Sequence, residues 1–269
     1  MHPMPDRNRG FSLIETVLVI VITGVIAAMV AVFLFKPIVS YFSMNARAEL
    51  SDSADNALRL YAREVRNALP NSVRVSADGL KLEFIPTVAG ARYRIDSNGV
   101  GTNPLNFESN DTAFDVFGDP VGVNTTHWAV IYNLGTGITG SDAYAPNGTA
   151  AQQLSSNRRQ ITGVSGNTWT INSSQPLPDI NRVPPYRIFA VEQPVLYVCD
   201  LTARTLTRWK NYGFRAAIPT TLTGTANIIA TDVSDCSFTY DSTVVAQRAG
   251  LAILRIVLTK TTGNDSESV

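Results

Sequence analysis

Hydrophobic and polar positions divide the chain into three textures. From Phe11 to Phe35 the only ionisable side chain is Glu15. At about 1.5 Å per residue this run predicts a helix about 37 Å long. A hydrocarbon layer is about 30 Å thick, so the helix can cross it with some tilt. The competing readings of such a run are a buried core helix and the apolar part of a removable signal peptide. Lys36-Pro37 interrupts the pattern, because Pro37 lacks an N–H and crowds the preceding turn. A kink is expected there, not a stop, since helical periodicity resumes at once.

The second texture is amphipathic. Leu50, Ala54, Ala57, Leu58, Tyr61, Val65 and Leu69 recur at helical steps and draw one apolar stripe. Arg59, Arg63, Glu64 and Arg66 take other faces, and Asp55 and Arg59 are spaced for an ion pair. Leu69-Pro70-Asn71 should end the helix, because the residue before proline is driven from helical geometry.

The third texture is alternating, with short candidate strands split by Gly, Pro, Asn and Asp. They are Val73–Val75, Leu80–Ile85, Ala91–Ile95, Trp128–Tyr132, Gln160–Val164 and Thr168–Ile171. Further along come Arg187–Val191, Val195–Cys199, Thr205–Trp209, Ala226–Ala230, Ser237–Tyr240 and Leu251–Leu258. Val88 to Asn157, rich in Gly, Asn, Thr and Pro, is expected to form long loops decorating the sheet. The polar end, residues 261–269, is expected to be disordered. No repeat or linker forces two domains. The expected class is α+β, a long N-terminal helix packed on a mainly antiparallel sheet head. Its segments are 1–10 as a leader, 11–36 as a membrane helix, 37–69 as an amphipathic helix, 70–260 as the head and 261–269 as the tail.

Charge sharpens this picture. The chain holds 22 Lys+Arg against 22 Asp+Glu, so it has no general pull toward nucleic acid, and no nucleic-acid partner is expected. The basic residues are unevenly placed: none falls between Arg9 and Lys36. Arg7 and Arg9 precede the apolar run, which by the positive-inside bias puts the N-terminus in the cytoplasm and everything after Lys36 outside it. Cys199 and Cys236, the only cysteines, then lie in an oxidising compartment and read as one disulfide. Closing that loop would stabilise by roughly 4 kcal/mol in the chain-entropy model. Zinc is the alternative, but it usually takes four donors, and the chain has two histidines, His2 and His127.

Arg9-Gly10-Phe11-Ser12-Leu13-Ile14-Glu15 resembles the type III signal of type IV prepilins: a basic leader, a glycine, a hydrophobic residue and a glutamate four residues on. The resemblance implies that a prepilin peptidase cuts between Gly10 and Phe11 and methylates the new amine. An ordinary signal peptidase would cut beyond the apolar run, and Val25-Ile26-Ala27 offers it a site. Glu15 weighs against that. A carboxylate at mid-membrane costs perhaps 2.5–3.5 kcal/mol on insertion scales, less near the interface. A removable peptide gains nothing from the charge, whereas a filament subunit can pair it with the Phe11 amine of a neighbour. By this reading the partners are the peptidase, the inner membrane and other pilins through the N-terminal helix.

Ala48-Glu49-Leu50, Asp52 to Ala57 and Arg63 to Val75 are similar to the MshO family of minor pilins, in the biogenesis cluster of mannose-sensitive haemagglutinin pili. So are Arg187-Ile188-Phe189, Pro194 to Asp200 and Asp235-Cys236-Ser237-Phe238. Type II secretion pseudopilins share the helix and a similar head, and a single-pass anchored binding or sensor domain shares the topology. Those two alternatives stay open at this point. A catalytic constellation is not in view. His127, the sole histidine beyond the leader, reads as a surface or strand-end residue. No phosphate loop or zinc-helix pattern occurs. Asp111, Asp115 and Asp119 are spaced too widely for a calcium loop and read as turn residues. No enzyme, cofactor or metal is expected.

Overall fold

The computed structural model describes residues 10, 12–99, 101–118, 121–242, 250–262 and 265–269. Residues 1–9, Phe11 and Asp119 of the sequence reading lie outside the described residues. Helix α1 (Leu13–Arg66) is 54 residues long, about 81 Å. It runs through Pro37 without a break. Its end comes earlier than the Pro70 signal predicts. Asn67 caps it by donating to the Glu64 and Val65 carbonyls, Ala68 bridges to Pro86, and the Leu69 N–H turns to the Ile85 carbonyl at 2.7 Å. The sheet has captured the backbone groups that another helical turn would have used.

The apolar stripe packs as the periodicity requires, with one exception. Ala46, Leu50, Ala54, Ala57 and Tyr61 are buried, while Leu58 is 38% exposed. Leu58 stands about 100° round the helix from Ala57, and the small Ala57 takes the inward place where the helix approaches the sheet. Leu69 is buried, but beyond the helix.

Fourteen strands follow among the described residues. In chain order they are β1 (Arg74–Val75), β2 (Lys81–Phe84), β3 (Thr87–Tyr93), β4 (Ala113–Phe117), β5 (Trp128–Ile131), β6 (Arg158–Ser165) and β7 (Thr168–Asn172). Then come β8 (Arg187–Val191), β9 (Val195–Asp200), β10 (Thr205–Lys210), β11 (Thr225–Thr231), β12 (Val233–Asp241), β13 (Leu251–Thr262) and β14 (Asp265–Ser268). A short helix, α2 (Ala150–Gln153), precedes β6. The head is thus mainly antiparallel β and the class is α+β.

Two sheets flank the helix. One is five-stranded, in the order β1-β2-β9-β10-β11, and the other is β12-β13-β14. Their shared core joins Leu50, Ala57 and Tyr61 of α1 to Leu82, Phe84, Tyr197, Leu206, Phe238 and Leu258. Between β2 and β9 the chain builds something the sequence reading did not anticipate. Strands β3-β4-β7-β6-β5-β8 close into an antiparallel barrel. The long loops expected over Val88 to Asn157, besides the candidate strands Ala91–Ile95 and Trp128–Tyr132, are corrected by β4 and α2, which also arise from that stretch. Turn formers around Ala113–Phe117 hid β4, whose partner β7 lies about fifty residues further along the chain. The barrel has its own core around Phe114, Trp169, Ile161 and Ile188.

A third cluster, Leu69, Ile85, Val130, Ala143, Tyr144 and Val191, seals barrel to sheet. Two guanidinium groups stack at this seam, Arg74 over Tyr144 and Arg158 over Phe214, each 3.6 Å from the ring centre. Burial holds Arg158 down to about 9, and its guanidinium donates to the Ala145 carbonyl and to Asn147. Glu83, buried beside Arg74 and accepting from Tyr212 Oη at 2.7 Å, is raised above the usual carboxylate range by desolvation.

The tail is also corrected. Far from being disordered, Asp265–Ser268 forms β14 against Thr259–Thr262 of β13, and Val269 exchanges both backbone bonds with Leu258. Its polar side chains suit an edge strand that reaches the helix through charge. Glu267 pairs with Arg47, and Lys260 of β13 lies 2.7 Å from Glu49.

Candidate processing and assembly site

The N-terminal motif is built by the start of α1. Ser12 is the N-cap, in extended conformation, and its hydroxyl accepts from the Glu15 N–H at 3.3 Å. That satisfies one of the donors a helix start leaves open. Ser12 and Glu15 have the spacing of a capping box, a signal the sequence reading passed over. Glu15 falls in the first turn, where the helix dipole favours a negative charge. Its carboxylate is exposed, and among the described residues nothing is hydrogen-bonded to it. The partner it needs in an apolar setting is therefore not supplied by its own head.

Gly10 is exposed, and a Cβ built on it meets nothing within 4 Å. Neither its conformation nor its surroundings in the described fold demand a glycine. Phe11, the predicted new N-terminus, is outside the described residues.

From Leu13 to Phe33 the helix has a mean hydropathy of 2.8, and none of this window is buried in the protein. It is long and apolar enough to cross a membrane. Its two threonines are satisfied locally: Thr16 Oγ1 donates to the Ser12 carbonyl at 3.4 Å and Thr23 Oγ1 to the Val19 carbonyl at 2.6 Å.

The opposite end of α1 is held tightly. Glu64 accepts from Tyr197 Oη and from Arg208 Nε, both at 2.7 Å. Cys199 of β9 and Cys236 of β12 are disulfide-bonded, with Cα atoms 6.0 Å apart, so the bond ties the two sheets that clasp the helix.

The remaining candidates are tied into the fold by hydrogen bonds. His127 is buried, not a surface residue, and its Nδ1 accepts from the Asn124 N–H at 3.1 Å where the chain enters β5. Asp111 accepts from the Asn106 and Ala113 N–H groups. Asp115 accepts from the Asn103 N–H and the Thr168 hydroxyl and faces Arg94 at 3.4 Å. These bonds hold turns and the β4 seam of the barrel.

Comparison with known families agrees with the geometry at the N-terminus. Residues 5–31 match the model of the prokaryotic N-terminal methylation motif, which supports a type IV pilin-like protein processed at its N-terminus. No curated protein and no solved structure matches the chain.

Proposed function

We propose that this chain is a minor pilin of a type IV pilus of the mannose-sensitive haemagglutinin kind, resembling MshO, and that it acts in filament assembly or initiation. The observation that carries the reading is the pairing of a methylation-motif match over residues 5–31 with a Glu15 that has no partner among the described residues, on an uncovered apolar helix. In this reading prepilin peptidase cuts after Gly10 and methylates Phe11. The membrane then stores the subunit with its N-terminus cytoplasmic and its head periplasmic. On assembly, Glu15 meets the amine of an adjacent pilin inside the fibre core, where low dielectric makes the attraction strong.

The open space around Gly10 supports this, because a glycine that the fold does not require is one that a processing enzyme can require. The role is structural, with no catalytic step assigned to any residue. A secretion pseudopilin would use the same N-terminal steps. A membrane-anchored binding or sensor domain would not.

Mass spectrometry of the mature N-terminus tests the proposal. A methylated Phe11 is expected, and an intact Met1 would overturn it. Gly10→Ser should leave the precursor uncut and unassembled. Glu15→Val should be processed and inserted yet fail to enter filaments, and normal incorporation of that variant would remove the ion-pair step.

A further inference from the structure

A short length of α1 belongs neither to the apolar span nor to the head. Among the described residues the head's lowest holds on the helix are Ala46, which is buried, and Arg47, which pairs with Glu267. Just below them Tyr41 and Phe42 are 65% and 54% exposed, with their rings in edge contact at 5.9 Å. No Lys, Arg, Asp or Glu occurs between Lys36 and Arg47. Two adjacent aromatic rings thus stand uncovered in a stretch without charge, directly beneath a folded domain.

Their height follows from helix geometry. Glu15 and Lys36 bracket the apolar run, 21 residues or about 31 Å apart. That matches a hydrocarbon layer of about 30 Å. Tyr41 and Phe42 start about 8 to 9 Å beyond Lys36 along the axis, and tilt shortens this measured along the membrane normal. The headgroup region on each side is about 5 to 8 Å deep. The two rings therefore fall at its outer part, and tyrosine, with an apolar body and a polar tip, suits that boundary.

We propose that Tyr41 and Phe42 form an interfacial anchor that seats the base of the head on the lipid headgroups of the outward-facing leaflet. The occupant of this patch is the lipid surface, since the patch is continuous with the span and lies at headgroup depth. Arg47, one and a half turns further on, marks the aqueous side. The proposal rests on the membrane reading of the span, and its test separates the two.

The full-length protein is reconstituted in phosphatidylcholine–phosphatidylglycerol vesicles as Tyr41→Trp, Phe42→Trp and, at mid-span, Val25→Trp. The native chain serves as the blank for Trp128, Trp169 and Trp209. The expected result is blue-shifted emission at positions 41 and 42, lost more to lipids brominated near the headgroup than to lipids brominated near the chain ends. Val25→Trp should show the reverse order. Water-like, unquenched emission at 41 and 42 with a quenched Val25→Trp overturns the anchor and leaves the span standing. An unquenched Val25→Trp overturns both. A blue shift at 41 and 42 that grows with protein density and ignores bromine would make a neighbouring helix the occupant, and the anchor would fall.

Discussion

The two halves of α1 are one continuous helix and yet stand in opposite relation to the rest of the chain. Leu13–Phe33 buries nothing in its own chain, whereas the half above Ser43 presses Ala46, Leu50, Ala54, Ala57 and Tyr61 into the head. Each half carries a carboxylate, and the contrast repeats there. Glu64 is met by Tyr197 and Arg208, while Glu15 is met by nothing among the described residues. A helix half that is finished within the chain is built for stability. A half that is apolar, uncovered and charged at one point is built to be finished by its surroundings.

The largest test of this contrast removes the clasp around the finished half. Replacing Cys199 and Cys236 by serine should lower head stability by about 4 kcal/mol on chain entropy alone, read as a shift of the urea midpoint. Leu50→Ala should cost about 3 kcal/mol as a core truncation, while Ile20→Ala should change head stability by less than about 0.5 kcal/mol. Equal effects in detergent-solubilised protein would erase the distinction between the halves. Glu64→Ala should cost about 2 kcal/mol, because it leaves the Arg208 guanidinium and the Tyr197 hydroxyl without their partner.

A loss smaller than that of Glu64→Ala lies away from the helix, in the barrel. The Asp115 carboxyl is held below its usual range first by the Asn103 N–H, then by the Thr168 hydroxyl and Arg94. A depressed value means that its stabilisation is present above the unfolded pKa of about 4 and is lost as pH falls through the folded one. Asp115→Asn should therefore cost about 1 kcal/mol at neutral pH. The gap to the native chain should close on acidification, as followed by thermal melts across pH.

The helix was legible in the sequence because its signals are local. An uncharged run, a periodic stripe and an isolated Glu15 are all visible within a few turns. Leu58 misled because a stripe drawn from spacing alone cannot say which of two adjacent apolar positions, Ala57 or Leu58, faces the sheet. The helix end was misplaced because the Ile85 carbonyl, a partner from β2's end, competes for the Leu69 N–H. Strands Trp128–Tyr132, Arg187–Val191 and Val195–Cys199 announced themselves by β-branched and aromatic alternation. Ala113–Phe117 did not, being short and set among turn formers, and β14 did not, because its residues are polar and its backbone ladder to β13 carries no apolar alternation. Barrel closure was invisible for another reason. It depends on which strand meets which, and β3 finds β8 only across nearly a hundred intervening residues. In the candidate site the sequence picked out Gly10 and Glu15, and Ser12 was missed although its three-residue spacing to Glu15 is that of a capping box.

The barrel leaves the sheet after Phe84 and returns at Val195, and these two residues face each other across β2 and β9. Entry and exit are therefore neighbours on an existing ladder, and a simple turn could join them in place of everything between. The lobe hangs from the sheet as a cassette, held besides by the seam beneath it, where Tyr144 Oη donates to the Ser72 carbonyl and Arg74 and Arg158 stack on rings beside the apolar cluster. Exchange or enlargement of that cassette would leave α1 and the disulfide-tied sheets around it untouched, so the lobe can diversify while the helix keeps its seat.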